Sequence, residues 1–248
     1  MLTARVVDWM HLLESIPTSS EDLIPKIASY ITPAEQATAR AAEYVQQWNE
    51  PPDTTAIIAN DPFDKVAGVM FWPDGLTASS LCTFNLACRD GLTTRGLEVL
   101  DWRLDNNEWK RMAAYESPAP AEGSSVAAFG GTIATGDLYW SPETLHELKH
   151  LAAKGGPTAP GMFMTVEFSV GNRGTSALAP ASFQVFAVDS AGKVYGLSAA
   201  ADKWWTGDVQ DRKTKIAAGD NTYLWYTFEI PDGADLQSFQ FQVLLPGV

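Results

Sequence analysis

The sequence predicts an α+β domain followed by an all-β sandwich, and three observations carry this prediction. Apolar residues recur at helical spacing near the start of the chain and then change to strict alternation. From about residue 130 onward, almost every apolar segment alternates and is bounded by Gly, Asn or Asp. Between these regions, residues 117–125 are rich in Pro, Ala, Gly and Ser, a composition that is typical of a linker. We therefore expect an α+β domain at 1–118, a linker at 119–126 and a β-sandwich at 127–248.

The composition is that of a globular protein with an acidic surface. The 248 residues are 46% hydrophobic and 19% charged, enough for each domain to bury a core. Asp and Glu number 30 against 17 Lys and Arg, so the net charge is -13. Such a surface repels phosphate, and no nucleic-acid partner is expected. No apolar run approaches the roughly 20 residues of a membrane span, and residues 1–13 lack the features of a signal peptide.

Three helices are predicted in the first domain. The first covers residues 6–13, where apolar side chains keep helical spacing, and the second follows a serine cap at residue 19 or 20. The third has the clearest start. Thr32 can accept from the backbone N–H of Glu35, and Pro33 suits the first helical position. This helix is expected to end before a pair of prolines.

The sequence pattern in the rest of the first domain predicts a curled antiparallel meander of strands. Apolar residues alternate around Leu81 and again over residues 97–102, and residues 105–107 form a turn before a last strand that contains Trp109. Residues 66–71 fit either a buried strand or a short helix. This order of helices and strands resembles the nuclear-transport-factor-2-like (cystatin-like) cone fold over residues 4–116.

The resemblance implies a cone that is a catalytic pocket, a ligand cavity or a packed scaffold, and the fold does not choose among these. A catalytic cone would need an inward-facing acid–base pair, and Asp101 or Tyr115 on its strands could be nominated only blindly, so no catalytic residue is predicted. Residues 100–111 resemble the last two strands of the same superfamily.

The second domain shows alternating strands at 162–172, 183–188, 223–230 and 239–243, separated by Gly, Asn and Asp turns. This order resembles the immunoglobulin-like (telokin-like) domain of bacterial lipoproteins and extracellular antigens, over about residues 130–245. The residues that carry the resemblance are Asn172, Asp189, Gly192, Gly219, Phe228, Ile230 and Pro231. The family is defined by its fold, so the resemblance implies no catalytic residues.

One short motif, His146-Glu147-Leu148-Lys149-His150, has the H-E-x-x-H pattern of zinc hydrolases. On a helix, His146 and His150 would share a face and Glu147 would be the general base. A helix near 142–154, inserted in the sandwich, is predicted because Ser141 and Pro142 form a start signal and two glycines follow at its end.

We expect no metal at this motif. Catalytic zinc needs a third protein ligand, and no histidine follows His150. Glu167 is the nearest later carboxylate but lies on a predicted strand, and Lys149 would place a cation beside the metal. An amphipathic helix with solvent-facing histidines is the favoured interpretation. A zinc-dependent hydrolase through His146, Glu147 and His150 is retained as an alternative.

Two cysteines and two adjacent tryptophans complete the candidate residues. On one continuous strand, Cys82 and Cys88 would be about 20 Å apart and beyond disulfide reach. If residues 84–86 turn the chain, a disulfide becomes feasible, so a disulfide and two buried thiols both stay open. Trp204 and Trp205 lie in a segment without strand periodicity, where they either bind a partner or fill the end of the sandwich.

These observations predict a non-enzymatic binding or scaffold protein of bacterial type that works outside the cytoplasm, secreted or lipid-anchored. Three histidines leave little acid–base capacity near pH 7, so the balance is against catalysis, although the question stays open. We expect no cofactor and a protein or cell-envelope partner, with Trp204 and Trp205 as the binding residues. The alternatives are a structural or assembly protein of a virus or secretion apparatus, in the cytoplasm or a virion, and the zinc hydrolase.

Overall fold

The computed structural model describes the following residues: 1–14, 20–49, 57–58, 63–72, 74–88, 93–112, 126–129, 131–151, 156–180, 183–201 and 215–244. The chain is rich in β-sheet and separates into two compact units, Met1–Glu116 and Ser117–Val248. We call these the α+β unit and the sandwich unit.

In the part of the α+β unit that the structure describes, there are three helices and six strands. They are α1 (Leu2–Glu14), α2 (Ser20–Ala28), β1 (Ile31–Thr32), α3 (Ala34–Asn49), β2 (Ile57–Ile58), β3 (Phe63–Phe71), β4 (Thr77–Cys88), β5 (Thr93–Asp105) and β6 (Glu108–Met112). The three predicted helices are confirmed, and residues 66–71 form a strand. The third helix begins later than expected. Thr32 belongs to β1, and the helix starts at Ala34, after Pro33.

Strands β3, β4, β5 and β6 of this unit form an antiparallel meander in chain order. Strand β1 joins β6 in parallel, and β2 pairs with the last residues of β4. Asn106 and Asn107 adopt positive φ angles of 50° and 65° between β5 and β6. This backbone matches the twist of a tight hairpin, so the predicted turn is confirmed.

The helices pack on one face of the sheet, where alternation along β5 places Leu100 and Trp102. Trp102 is fully buried, and its ring centroid lies 6.4 Å from that of Trp9 in α1. The next residue toward the N-terminus, Asp101, therefore points to the opposite face, directly across from Ser79 of β4. Asp101 thus does not face the helices, as an inward-facing acid or base of a catalytic cone would.

The described residues of the sandwich unit form eight strands. They are β7 (Val126–Ala128), β8 (Ile133–Thr135), β9 (Leu138–His150), β10 (Thr158–Asn172), β11 (Gln184–Val188), β12 (Val194–Tyr195), β13 (Asn221–Ile230) and β14 (Gln240–Leu244). Within this unit, one sheet has the order β8-β9-β10-β13 and the other the order β12-β11-β14-β7. Adjacent strands in both orders run antiparallel.

An aromatic core joins these two sheets. Trp140 of β9 contacts the rings of Phe168 and Tyr226 at centroid distances of 6.2 and 6.0 Å. Phe168 of β10 lies 5.4 Å from Phe241 of the other sheet, with the two rings nearly perpendicular. Edge-to-face contacts of this kind are favourable beyond the area that they bury. The sheets therefore pack face to face through large side chains.

The helix predicted near 142–154 is wrong, because these residues mostly form the strand β9. Residues from Leu138 to His150 pair along β10, and this long ladder outweighs the local capping signal. Pro142 sits opposite Phe168 beside a register shift, where Glu143 is the extra residue. A bulge tolerates proline, which lacks the N–H that a regular ladder needs.

Asn172 holds the end of β10 in place. Its side-chain amide donates to the carbonyl oxygens of Ser176 at 2.8 Å and Ile216 at 2.9 Å. Its Oδ1 accepts from the backbone N–H of Gly174 at 3.0 Å. The side chain is fully buried and saturated with partners. The sequence feature that suggested the lipoprotein-type domain at this position is therefore a structural one.

Asp189 organises the turn between β11 and β12. Its carboxylate accepts from the backbone N–H groups of Ala191 and Lys193 and from the hydroxyl of Tyr195, each at 2.9 Å. These hydrogen bonds lower the pKa of Asp189 below its ordinary value. Gly192 supplies the positive φ of 81° that the turn requires.

Candidate functional site

The H-E-x-x-H residues lie on a strand, so their geometry differs from that of a zinc helix. Residues four apart on a strand are about 13 Å apart along its axis, whereas on a helix they are neighbours. The helical premise of the zinc-hydrolase alternative is therefore wrong. The side chain of His150 lies outside the described residues. Among those that the structure describes, no group of three or more His, Cys, Asp or Glu could hold a metal ion.

His146 is half-buried on the face of β9 opposite to Leu145, and so on the side of the sheet away from the core between the two sheets. It lies opposite Thr165 in the ladder, and its ring centroid is 5.6 Å from that of Trp225 on β13. Burial disfavours the imidazolium form and lowers the pKa of His146 to about 4. The histidine is therefore neutral at physiological pH.

We expect His146 to make the sandwich unit sensitive to acid. Between its ordinary pKa of 6.5 and its folded pKa of about 4, the unfolded chain binds the proton and the folded chain does not. The free energy of unfolding thus has its full value above pH 6.5. It falls by up to about 3 kcal/mol as the pH decreases toward 4. Urea denaturation from pH 4 to 7 should show this loss, and His146→Phe should remove it. An equal pH dependence in both proteins would contradict the assignment.

Cys82 is a free thiol in the core of the α+β unit. It lies on the same continuous strand as Cys88, which is the arrangement in which a disulfide is out of reach. The disulfide alternative is therefore corrected in favour of a buried thiol at Cys82. Burial raises the pKa of this thiol to about 12, so it stays protonated and unreactive.

Three candidate residues from the sequence lie outside the described residues: Trp204, Trp205 and Tyr115. The prediction that the two tryptophans bind a partner stays a prediction.

The most distinctive chemistry of the chain lies on the helix-facing side of the sheet in the α+β unit. Alternation places Glu98 on the same face as Trp102, and the register places it opposite Cys82. Arg111 of β6 pairs with Trp102 and so shares this face. Tyr44 of α3 lies beside the guanidinium. We call Tyr44, Cys82, Glu98 and Arg111 the Arg111 cluster.

Arg111 is held by the backbone and by aromatic rings. Its Nη1 donates to the carbonyl oxygen of Asp101 at 2.6 Å. Its guanidinium carbon lies 5.9 Å from the ring centroid of Trp9 and 5.7 Å from that of Trp102, within the range of cation–π attraction. The Nε atom, by contrast, is buried without a hydrogen-bond partner. One nitrogen of the guanidinium is thus held in place without a hydrogen-bond partner, although Tyr44 hydrogen-bonds the group as well.

The electrostatics of the cluster favour the charged form of Arg111 and shift the pKa of Glu98 upward. Burial disfavours the charged form of Arg111, but the acidic groups of Tyr44, Asp101 and Glu98 outweigh it. The pKa of the guanidinium is therefore raised. Burial also raises the pKa of Glu98, and the positive charge of Arg111 opposes this shift only in part. Both residues keep part of their surface accessible.

A second polar group lies on the opposite face of the same sheet. Ser79 donates to Asp101 at 2.5 Å, and the indole N–H of Trp72 donates to Ser79 at 3.0 Å. Burial raises the pKa of Asp101, while Ser79 and the charge of Arg111 oppose the shift. This group is closed on itself, since each polar atom named here has a partner. It holds the strands together rather than presenting a free donor.

Sequence reasoning did not find Glu98 or Arg111 as site residues, although one signal was present. Glu98 falls two and four residues before Leu100 and Trp102, so alternation puts a charged residue on the apolar face of β5. A charge at a core-facing position points to a partner or a ligand. Arg111 and Tyr44 required the strand register and the position of α3.

Comparisons with known proteins add little to this geometry. No protein-family model matches the chain, and no curated protein matches it either. A solved structure, described as a conserved hypothetical protein from Bacillus anthracis, is similar at 15% identity with a TM-score of 0.38. The similarity covers 48% of this chain and 89% of that one. Across the helices that the structure describes, none is long and apolar enough to span a membrane.

Proposed function

We propose that this protein works by binding, as a non-enzymatic binding or scaffold protein, and that its α+β unit takes up a small molecule at the Arg111 cluster. The observation that carries the proposal is the buried Nε of Arg111, which has no hydrogen-bond partner in the structure. Nearly all buried polar groups in folded proteins are paired, so an unpaired one held in place by Trp9 and Trp102 is a recognition element.

The proposal places the protein outside the cytoplasm, secreted or lipid-anchored, with a protein or cell-envelope partner for the sandwich unit. Its support is the pattern of residues that resembles the domain of bacterial lipoproteins, together with a unit of antiparallel strands joined by turns such as that at Asp189. Trp204 and Trp205 remain the segment that we propose for the partner, because aromatic residues dominate binding energy at interfaces.

Native mass spectrometry of the full chain, recovered from its source cells without denaturation, tests binding at the cluster. We expect one small molecule to remain bound and to be released chemically unchanged. Arg111→Met should lose it, because the guanidinium is removed while an unbranched apolar side chain fills its space. Arg103→Met is the matched control, since Arg103 lies on the same hairpin but is exposed.

Three results would contradict this proposal. The first is a protein that carries no small molecule, and the second is equal loss of ligand in Arg103→Met and Arg111→Met. The third is recovery of a converted product. Fractionation of the same cells tests the location: the protein should be in the envelope or the medium. Recovery in the cytoplasm contradicts an extracytoplasmic role, and recovery in an assembled particle supports the structural or assembly alternative.

A second candidate function, acid–base catalysis at the same cluster, is favoured by one observation. The pKa of Glu98 is raised by burial, and a carboxyl group with a raised pKa is suited to proton transfer near neutral pH. If the bound molecule is turned over, Glu98→Gln should abolish the reaction while binding persists. Retention of turnover in Glu98→Gln would remove Glu98 as the acid or base.

A further inference from the structure

We propose that the turn after β13 is a site of spontaneous modification, in which Asp232 rearranges through a succinimide to isoaspartate. The proposal concerns the sandwich unit and does not depend on the Arg111 cluster. In the first step, the backbone nitrogen of Gly233 attacks the side-chain carboxyl carbon, Cγ, of Asp232. A C–N bond forms, and the amide proton and a carboxyl oxygen leave as part of a water molecule, which closes the succinimide ring.

The second step is hydrolysis of this ring. Cleavage of the new bond between the nitrogen and Cγ restores aspartate. Cleavage between the same nitrogen and the main-chain carbonyl carbon makes the chain run through the side chain of residue 232, which is isoaspartate. The product carries a free α-carboxylate and an additional methylene group in the backbone. Because one water is released and one is consumed, the rearrangement needs no oxidant, cofactor or enzyme.

The residue after the aspartate decides where this reaction can occur. Glycine favours it, because the missing side chain lets the backbone nitrogen reach the carboxyl carbon. The sequence contains three such pairs, Asp74-Gly75, Asp90-Gly91 and Asp232-Gly233, and no asparagine is followed by glycine. The pair at 90–91 lies outside the described residues. The other two pairs are exposed, and their glycines have similar φ angles of 67° and 73°, so hydrogen bonding distinguishes them.

At Asp74, both reacting groups are occupied. The carboxylate accepts from the hydroxyl of Thr77 at 2.7 Å and from the backbone N–H groups of Leu76 and Thr77, each at 2.9 Å. The attacking nitrogen, that of Gly75, donates to the carbonyl oxygen of Trp72 at 3.0 Å. The hydrogen bonds on the carboxylate also lower the pKa of Asp74, and an ionised carboxylate is a poor electrophile. This turn must open before the ring can close, so the pair is protected.

At Asp232, neither reacting group is held. Within the described part of the chain, its carboxylate accepts no hydrogen bond and forms no ion pair, and the N–H of Gly233 has no acceptor. The hydrogen bond of this turn runs from the N–H of Ala234 to the carbonyl oxygen of Pro231 at 3.3 Å, and it involves neither group. The space beside Gly233 is open, with no atom beyond its chain neighbours within 4 Å of an ideal Cβ position. Ring closure at Asp232 therefore breaks no hydrogen bond of the reacting groups.

Incubation of the full chain at pH 7, followed by peptide mapping, tests the proposal. Isoaspartyl and aspartyl peptides are separated by chromatography and distinguished by electron-transfer fragmentation, which reports the additional backbone methylene. We expect isoaspartate to accumulate at Asp232 at least about tenfold faster than at Asp74, which is the matched control in the same molecule. Asp232→Glu keeps the exposed charge and lengthens the side chain, so the signal at this position should disappear.

The same incubation in guanidinium chloride separates the effect of structure from that of sequence. The unfolded chain no longer holds the hydrogen bonds at Asp74, so Asp74 and Asp232 should rearrange at similar rates there. Three results would overturn the inference. They are absence of isoaspartate at Asp232, a rate at Asp74 in the folded protein that equals or exceeds the rate at Asp232, and a difference between the pairs that persists unchanged in the denaturant.

Discussion

Replacement of Trp140 by alanine should lower the free energy of unfolding of the sandwich unit by about 3–5 kcal/mol. The side chain is fully buried, and its ring contacts Phe168, Phe183 and Tyr226. Alanine removes most of that apolar contact and leaves a cavity between two sheets that cannot collapse fully. Urea denaturation followed by tryptophan fluorescence and circular dichroism measures the change.

Two control variants make this result specific. Trp140→Phe keeps an aromatic ring and removes an indole N–H that has no partner, so it should cost much less than Trp140→Ala. Tyr223→Ala changes an aromatic residue on β13 that is 44% exposed, and its cost should be well below that of Trp140→Ala. A cost below about 1 kcal/mol for Trp140→Ala would be inconsistent with a packed aromatic core.

The second large effect is expected at Asn172, where aspartate has the same shape but different hydrogen bonding. Asn172 donates to two backbone carbonyl oxygens, and an aspartate in its place would set acceptor oxygens against them in a fully buried position. We expect Asn172→Asp to lower the free energy of unfolding by about 3 kcal/mol or more at pH 7, because two hydrogen bonds are lost and a charge is buried. Chemical denaturation of both proteins measures it.

The pH dependence of this variant provides an independent check. Burial raises the pKa of the new carboxyl in the folded state, so the destabilisation is complete above that pKa. It should be relieved in part as the pH falls and the carboxyl takes up a proton. The comparison is made with the native chain at each pH, because His146 also titrates in acid. Asn221→Asp, at an exposed position on β13, should cost little. A destabilisation of Asn172→Asp that is independent of pH would contradict a buried charge.

The strands with the clearest alternation were predicted well from the sequence. Residues 162–172, 223–230 and 239–243 each fall within or overlap a strand of the structure. Their apolar residues face a single core at every second position, and turn residues mark their ends. The signal is local, so the sequence alone carries it.

Strand β9 shows where local signals mislead. Ser141 and Pro142 form a helix start, and the residues after them have helical spacing of leucines, yet the segment pairs with β10. In the structure, Ser141 lies 3.0 Å from Thr132 through their hydroxyl oxygens, and Pro142 sits at a bulge. The competing interaction comes from a strand that lies later in the chain, and no local pattern reports it.

The candidate site was harder to find than the fold, since its members are distant in sequence. Tyr44, Cys82, Glu98 and Arg111 come from a helix and three strands, and they meet only because of the register between β4, β5 and β6. Glu98 is a charged residue on an apolar strand face, which the sequence does display. The unpaired Nε of Arg111 is a property of the folded state alone.

The pairing of β7 with β14 has a consequence for how the chain is made. These are the first and the last of the described strands of the sandwich unit, with Val126 opposite Gln242. During synthesis, the ribosome must therefore release almost the entire unit before its second sheet can close. The described strands of the α+β unit, by contrast, are complete at Met112. The α+β unit can thus fold earlier during translation. The aromatic side chains of the sandwich unit stay accessible to chaperones until strand β14 has been synthesised.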